Sequence, residues 1–359
     1  MADWYCDYTN GNDTTGSGTS GSPYQTLQKC VDSATRGDTI YVANTSAQVF
    51  SSALSFGTGY TAIGTGETLI TGWDNGGSLS LTVPGTAGTI PAGKIDATGL
   101  ASGWITSLQP YVTVSNLIID SGSSSIAQSS GYWNFYRCHF LGTGKASGYF
   151  ATQCRSFHCC LFEGFGITQS NIIVGCCFKD VNAYAIFDSG TRVIGNLFIG
   201  SSSYTGSSPL VDPSGSDGLI FGNTFISKSA RTGPLLLLYR NHYVINNTFQ
   251  GCNGVGGVGI DANSNYSALA GNVFHDCTSN VTNDSLVRYL SPNVTASAAL
   301  YTDAGTNQWE ASSELESAYY PTGYIGTSTQ TYKDAGAIEY LSTGTGATNV
   351  AAAKFTRLE

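Results

Sequence analysis

Between residues 116 and 274 one pattern of polar and apolar positions recurs. A small residue is followed two positions later by a large apolar one: Asn196 and Phe198, Asn223 and Phe225, Asn247 and Phe249, Asn272 and Phe274. Upstream, Cys176 and Phe178, Cys160 and Phe162, Cys138 and Phe140, and Asn116 and Ile118 align with them. The steps between successive first members are 22, 22, 16, 20, 27, 24 and 25 residues, or about 22 per repeat. Variable steps are what loop insertions into a repeat produce. Positions n and n+2 of a strand share a face, so each repeat predicts short strands rather than helices. Stacked in parallel, such strands lie about 4.8 Å apart, and like residues meet like. The Phe column then fills a core. The Asn column passes side-chain hydrogen bonds from coil to coil, and a buried Cys takes the place of a small apolar residue. The prediction is all-β: a parallel β-helix solenoid, right-handed because parallel crossovers are nearly always so.

The ends of a solenoid expose sheet edges that need covering. Near the N-terminus, Leu27, Cys30, Val31 and Ala34 recur at helical spacing. Ser22 is the expected N-cap, Pro23 the first helical residue and Gly37 the stop. This divides the chain into an N-terminal cap with the first coil (1–42), a β-helix (43–277), and closing coils with an irregular C-terminal cover (278–359). A short helix is expected near 308–317. Within 43–115, TAIG, TLITGW and SLSLTV read as further strands.

Composition agrees. Only 11% of residues are charged, against about 25% in typical domains. Forty-five glycines accompany a normal 41% hydrophobic content, which suits many short strands and tight turns. The net charge of −9 argues against nucleic acid as a partner. No apolar run is long enough to suggest a membrane span. The opening MADWYCDYTNGNDTTG has neither a basic start nor an apolar stretch, so no secretory signal is expected. That points to synthesis in the cytoplasm, with virion association or release to the exterior afterwards.

Ten cysteines are too few for a disulfide scaffold in a chain this long. Cys138, Cys160 and Cys176 should face the core. Strand alternation turns their neighbours Cys159 and Cys177 outward. His139 and His158 lie near these thiols, but no CxxC pair exists, so no metal site is predicted.

The segment GTSGSPYQTLQKCVDSATRGDTIYV (18–42), the GNxF coils and DAGAIEY (334–340) resemble the right-handed parallel β-helix, or pectin-lyase-like, superfamily. The likeness spans roughly residues 1–340 and includes viral tail-spike appendages. It implies a protein that engages a polysaccharide or cell-surface glycan, by binding or by lyase or hydrolase chemistry. A purely structural or adhesive solenoid is the further alternative. A lyase would bring calcium; otherwise no cofactor is implied. Tail spikes are usually homotrimers. Two signatures are missing: a paired Asp-Asp with a following Gly-His-Gly, and an acidic calcium cluster with a downstream Arg.

Candidate chemistry sits where the strand before each Asn coil ends. Gln169, Asp188, Asp212, then Tyr239 or Arg240, then Asp261 form a polar column. Asp188, Asp212 and Asp261 are the candidate catalytic carboxylates, with Arg240 between two of them to hold an acidic sugar. Each Asp also opens a turn and has the chemistry of a turn cap. Among candidate binding residues, His242 is a possible base or an exposed strand histidine. Tyr239, Trp133 and Tyr149 offer rings for stacking on sugars, beside Tyr132, Tyr136, Tyr184 and Tyr204.

Overall fold

The computed structural model describes residues 1–57, 66–83, 89–100, 105–106, 111–122, 132–142, 149–151, 154–168, 170–187, 192–213, 217–263, 267–285, 287–290, 293–296, 301–303 and 309–311. The chain forms two compact units, residues 1–162 and 163–359. Both are nearly all β, built from short strands in parallel register, with one helix among the described residues.

In the first unit, one sheet stacks Asp3–Cys6, Thr39–Ala43, Thr68–Trp73, Tyr111–Ser115, Tyr132–Tyr136 and Ser156–His158 in that order. A second stacks Ala47–Val49, Gly93–Asp96, Leu117–Asp120 and His139–Leu141. The helix, Leu27–Ser33, buries Leu27, Cys30 and Val31 as the spacing predicts. Its N-cap is Thr26, not Ser22: Thr26 Oγ1 accepts from Lys29 N–H at 3.2 Å. The same hydroxyl donates to Asp13 Oδ2 at 2.7 Å, which fixes it for capping.

The second unit has three sheets. The first stacks Ile172–Val174, Arg192–Ile194, Gly218–Phe221, His242–Ile245, Ala268–Ala270 and Arg288–Tyr289. The second stacks Cys177–Val181, Leu197–Gly200, Thr224–Ile226, Thr248–Gln250, Val273–His275 and Val294–Thr295. The third stacks Gly166–Thr168, Ile186–Phe187, Val211–Asp212, Pro234–Leu237, Val258–Asp261 and Ser279–Thr282.

The GNxF motif marks the corner between first and second sheets. The residue before the column position adopts left-handed backbone: Gly175, Gly195, Gly222 and Gly271 at φ near 60°, and Arg137, Cys159 and Asn246 at φ near 52°. Glycine takes this conformation without steric cost, which explains the G of the motif. The next residue turns into the core. Phe178, Phe198, Phe225, Phe249 and Phe274 then stack, with ring centroids 4.6–5.1 Å apart. Phe140 and Phe162 stack likewise in the first unit, at 4.7 Å.

Two expectations fail at this corner and one near the C-terminus. Asn116 is itself the left-handed residue (φ 52°), so Leu117 fills the core slot and Ile119, not Ile118, pairs with Phe140. Cys159 and Cys177 do not face solvent; both are buried, with exposures of 9% and 1%. Alternation fails because the chain turns between Cys159 and Cys160, and because Cys177 belongs to a row (Leu197, Thr224, Thr248, Val273) that is buried throughout. Finally, Trp309–Ala311 is a strand, antiparallel to Tyr301–Asp303, where a helix was expected. The rest of 308–317 and the DAGAIEY segment lie outside the described residues.

Candidate functional site

The third sheet carries two of the carboxylates that the sequence singles out, Asp212 and Asp261. Its inward row is Ile167, Ile186, Val211, Leu236 and Ile260, all fully buried. The adjacent row is Thr168, Phe187, Asp212, Leu237, Asp261 and Thr282, of which Thr168, Asp212 and Leu237 are buried and Phe187, Asp261 and Thr282 half-buried. Thr168 pairs with Phe187 and Phe187 with Asp212. Val211 pairs with Leu236, which sets Asp212 level with Leu237. Leu237 then pairs with Asp261, and Asp261 with Thr282.

This register revises the predicted column. The residue level with Asp212 in the preceding coil is Phe187, one position before Asp188. Asp188 and Gln169 lie outside the described residues. Asp212 and Asp261 do share a row, two strand spacings or about 10 Å apart. The residue between them is Leu237 rather than Arg240. Tyr239 and Arg240 lie beyond it on an exposed turn, where Tyr239 is 49% exposed.

The two carboxylates occupy different surroundings. Asp212 is 4% exposed, beside half-buried Phe187 and buried Leu237. Asp261 is half-buried, and its Oδ1 accepts from Asn283 Nδ2 at 2.7 Å. One carboxyl is therefore buried and the other half-buried and hydrogen-bonded, with Leu237 level between them.

His242 is not exposed. It shares the inward face with Val244 and is 1% exposed. Its Nδ1–H donates to the Arg240 carbonyl at 2.9 Å, and its backbone N–H donates to Ser267 Oγ at 3.2 Å. It anchors the turn that presents Tyr239 and Arg240. Trp133 is likewise a core residue, 1% exposed, stacked on Phe135 at 6.1 Å and edge-on to Phe56 at 5.4 Å. Tyr149 lies on the strand Tyr149–Ala151, and its side chain is outside the described set. Tyr136 is exposed, and Tyr184 and Tyr204 are half-buried.

Charged side chains elsewhere in the second unit have structural partners. Lys228 pairs with Asp180 at 2.8 Å. Arg231, which reads in the sequence as one of several scattered surface charges, is 1% exposed. Its Nη2 donates to the carbonyls of Asn182 (2.8 Å) and Ser208 (3.1 Å), and its guanidinium lies 4.7 Å from the Tyr204 ring centroid. Burial lowers its pKa, and Tyr204 and Cys252 partly oppose that shift. No hydrophobic periodicity could have shown this, because Arg231 sits in a loop. Among the described residues, no three His, Cys, Asp or Glu side chains converge as metal ligands.

No protein-family model and no curated protein matches this chain. Solved structures do. Two are crystal structures of GH136 lacto-N-biosidase from Eubacterium ramulus, as native protein and as a selenomethionine derivative. The native structure is 12% identical with a TM-score of 0.35, covering 82% of this chain and 68% of the other. The derivative is 10% identical with a TM-score of 0.37, covering 82% and 67%. The reading that follows rests on this chain's own side chains.

Proposed function

We propose that this protein engages a glycan along the outer face of the third sheet in its second unit. The observation that carries the reading is the single row on which Asp212 and half-buried Asp261 lie two coils apart. A parallel sheet of stacked short strands repeats along one direction, and a polysaccharide is an extended, repeating ligand. Exposed Tyr239 supplies a ring for the apolar face of a sugar. Arg240 beside it supplies donors for hydroxyl or carboxylate oxygens. A virion appendage that grips surface polysaccharide is the setting in which such a track would serve without cleavage.

A second reading is favoured by the carboxylates themselves. Two strand spacings, about 10 Å between backbones, lie close to the separation of about 6.5–9.5 Å between carboxyl groups that inverting glycoside hydrolysis uses. In that reading Asp212, enclosed beside Phe187 and Leu237, protonates the leaving oxygen. Asp261 takes a proton from the attacking water. The proton given up by Asp212 and the one gained by Asp261 balance over the cycle through solvent.

A panel of neutral and acidic polysaccharides, assayed for binding and for new reducing ends, tests both readings. Hydrolysis abolished in Asp212→Asn and Asp261→Asn, with binding retained, establishes the hydrolase. Binding without new ends, weakened by Tyr239→Ala, leaves the binding reading. Absence of binding to every polysaccharide removes the proposal.

A further inference from the structure

The first sheet of the second unit has an outer face of unusual composition. Its inward row is Ile173, Val193, Ile220, Val244 and Leu269, each fully buried. The outward residues form two rows in register. One runs Ile172, Arg192, Leu219, Tyr243, Ala268, Arg288. The other runs Val174, Ile194 and Phe221, which are half-buried, and then Ile245 and Ala270, which are buried. Neither row contains an acidic residue, although the chain carries 24 acidic against 15 basic residues. Arg192 and Arg288 are the only charges in these two rows, and both are exposed; Asp217 lies at the edge, where its Oδ1 accepts from Asn241 N–H. Tyr243, at 57% exposure, lies between them. It stands two coils from each, about 10 Å either way. Its neighbour on the Arg288 side is only Ala268, which leaves one side of the ring uncrowded.

We propose that this face binds an anionic polysaccharide, laid along the direction in which the coils stack. The inference rests on the glycan reading above but concerns a different sheet, and it adds the charge class of the ligand. A pyranose ring has a flat C–H face that stacks on an aromatic ring, and Tyr243 and half-buried Phe221 present such rings one coil apart on adjacent rows. A uronic acid carboxylate or a sulfate on flanking sugars matches the guanidinium forks of Arg192 and Arg288. The rest of the chain supplies selectivity of place. At a net charge of −9 the protein repels a polyanion in general, so an acid-free strip with two arginines is where such a chain can approach. Two cations are too few to hold a nucleic acid by phosphate contacts alone, and the apolar rows between them call for a ligand with apolar faces.

The probe is polygalacturonate, with dextran as the neutral comparison, measured by affinity electrophoresis and calorimetry at low and high salt. The expected result is binding of polygalacturonate and not dextran, weakened by salt. The Arg192→Ala/Arg288→Ala double variant should weaken it at least tenfold, and Tyr243→Ala by a similar factor, with unchanged circular dichroism. Val255→Ser, at an exposed turn outside this sheet, should bind as the parent does. Binding that survives the double variant and Tyr243→Ala overturns the inference while leaving the glycan reading intact. So does binding that depends on charge alone, shown by heparin or single-stranded DNA competing equally and Tyr243→Ala having no effect. No binding to either polysaccharide overturns it as well. A fall in oligomeric state in Tyr243→Ala, seen by light scattering, would show the face to be an interface between copies and would also overturn it.

Discussion

The side-chain amide of Asn196 donates to Asn223 Oδ1 at 3.0 Å, and the backbone N–H of Asn196 reaches the same oxygen at 2.9 Å. The second amide hydrogen of Asn196 goes to the Ile173 carbonyl one coil back, at 2.9 Å. The arrangement repeats at Asn223, Asn247 and Asn272, with Asn293 as the last acceptor. Every rung is fully buried from Asn196 to Asn272. Asn223→Ala would strip acceptors from Asn196 N–H and Nδ2 and a donor from the Val193 carbonyl. Each buried group left unmatched costs about 1–3 kcal/mol. Chemical denaturation should therefore show a loss of at least about 3 kcal/mol. Asn223→Cys should lose less, since Cys138 and Cys160 hold the equivalent slot with thiol contacts to carbonyls at 3.3–3.6 Å.

Acid should loosen the first unit through two carboxylates. Burial alone would raise the pKa of Asp7, but hydrogen bonds from Thr45, Asn10 and Asn75 outweigh it and hold it below the ordinary 3.8. Asp38 follows the same course, with Thr35, the Ala2 N–H and the Trp4 indole as donors. A depressed folded pKa contributes stability that is present above the unfolded value and is lost as pH falls through the folded one. Near-ultraviolet circular dichroism should report weakening only below about pH 4. Asp7→Asn should be less stable at neutral pH and show a shallower acid dependence. An unchanged acid midpoint and neutral-pH stability in that variant would refute the assignment.

The thiols should be inert in the folded protein. Burial pushes Cys177 up to about 12, Cys252 to about 11 and Cys277 to about 12. The thiolate is the reactive form, so at neutral pH these groups are protonated as well as enclosed. Alkylation read by mass spectrometry should leave nine of the ten cysteines unmodified, with half-buried Cys277 labelled first. Denaturant should release all ten. Rapid labelling of Cys177 without unfolding would contradict the corner geometry.

Arg231 should matter more than any exposed cation. Arg231→Ala leaves the Asn182 and Ser208 carbonyls without their donor and opens space beside Tyr204. The expected loss is about 2–4 kcal/mol. Arg231→Lys should recover only part of it, because an ammonium cannot stack on the ring while reaching both carbonyls. Arg192→Ala, on the exposed face, should change the denaturation midpoint little.

Sequence alone carried the stacked core well and the site less well. Phe198, Phe225, Phe249 and Phe274 share a motif because one corner geometry demands left-handed backbone, then a core amide, then a ring. The same motif misled at Asn116, which takes the left-handed position that asparagine tolerates. Asn293 resembles a chance sequon, yet it continues the ladder. The third-sheet strands are only two to four residues long, too short for alternation to fix their register. A slip of one residue placed Asp188 where Phe187 stands, and such a slip exchanges the two faces of a strand. Trp133 and His242 were misjudged for the opposite reason. Both alternate in register with core residues, Phe135 and Val244, and composition drew attention away from that parity.

The direction of the Asn ladder has a consequence for synthesis. In every rung the accepting oxygen belongs to the coil translated later: Asn196 waits on Asn223, Asn223 on Asn247, Asn247 on Asn272. On a ribosome, the newest coil therefore completes its predecessor and leaves its own two donors open until another turn emerges. A pause between coils would hold one asparagine with two open donors at the growing edge rather than spreading incompleteness along the chain. Chains released early at Asn272 should carry that open edge permanently and pair with one another, whereas chains that reach Asn293 have the acceptor that closes it.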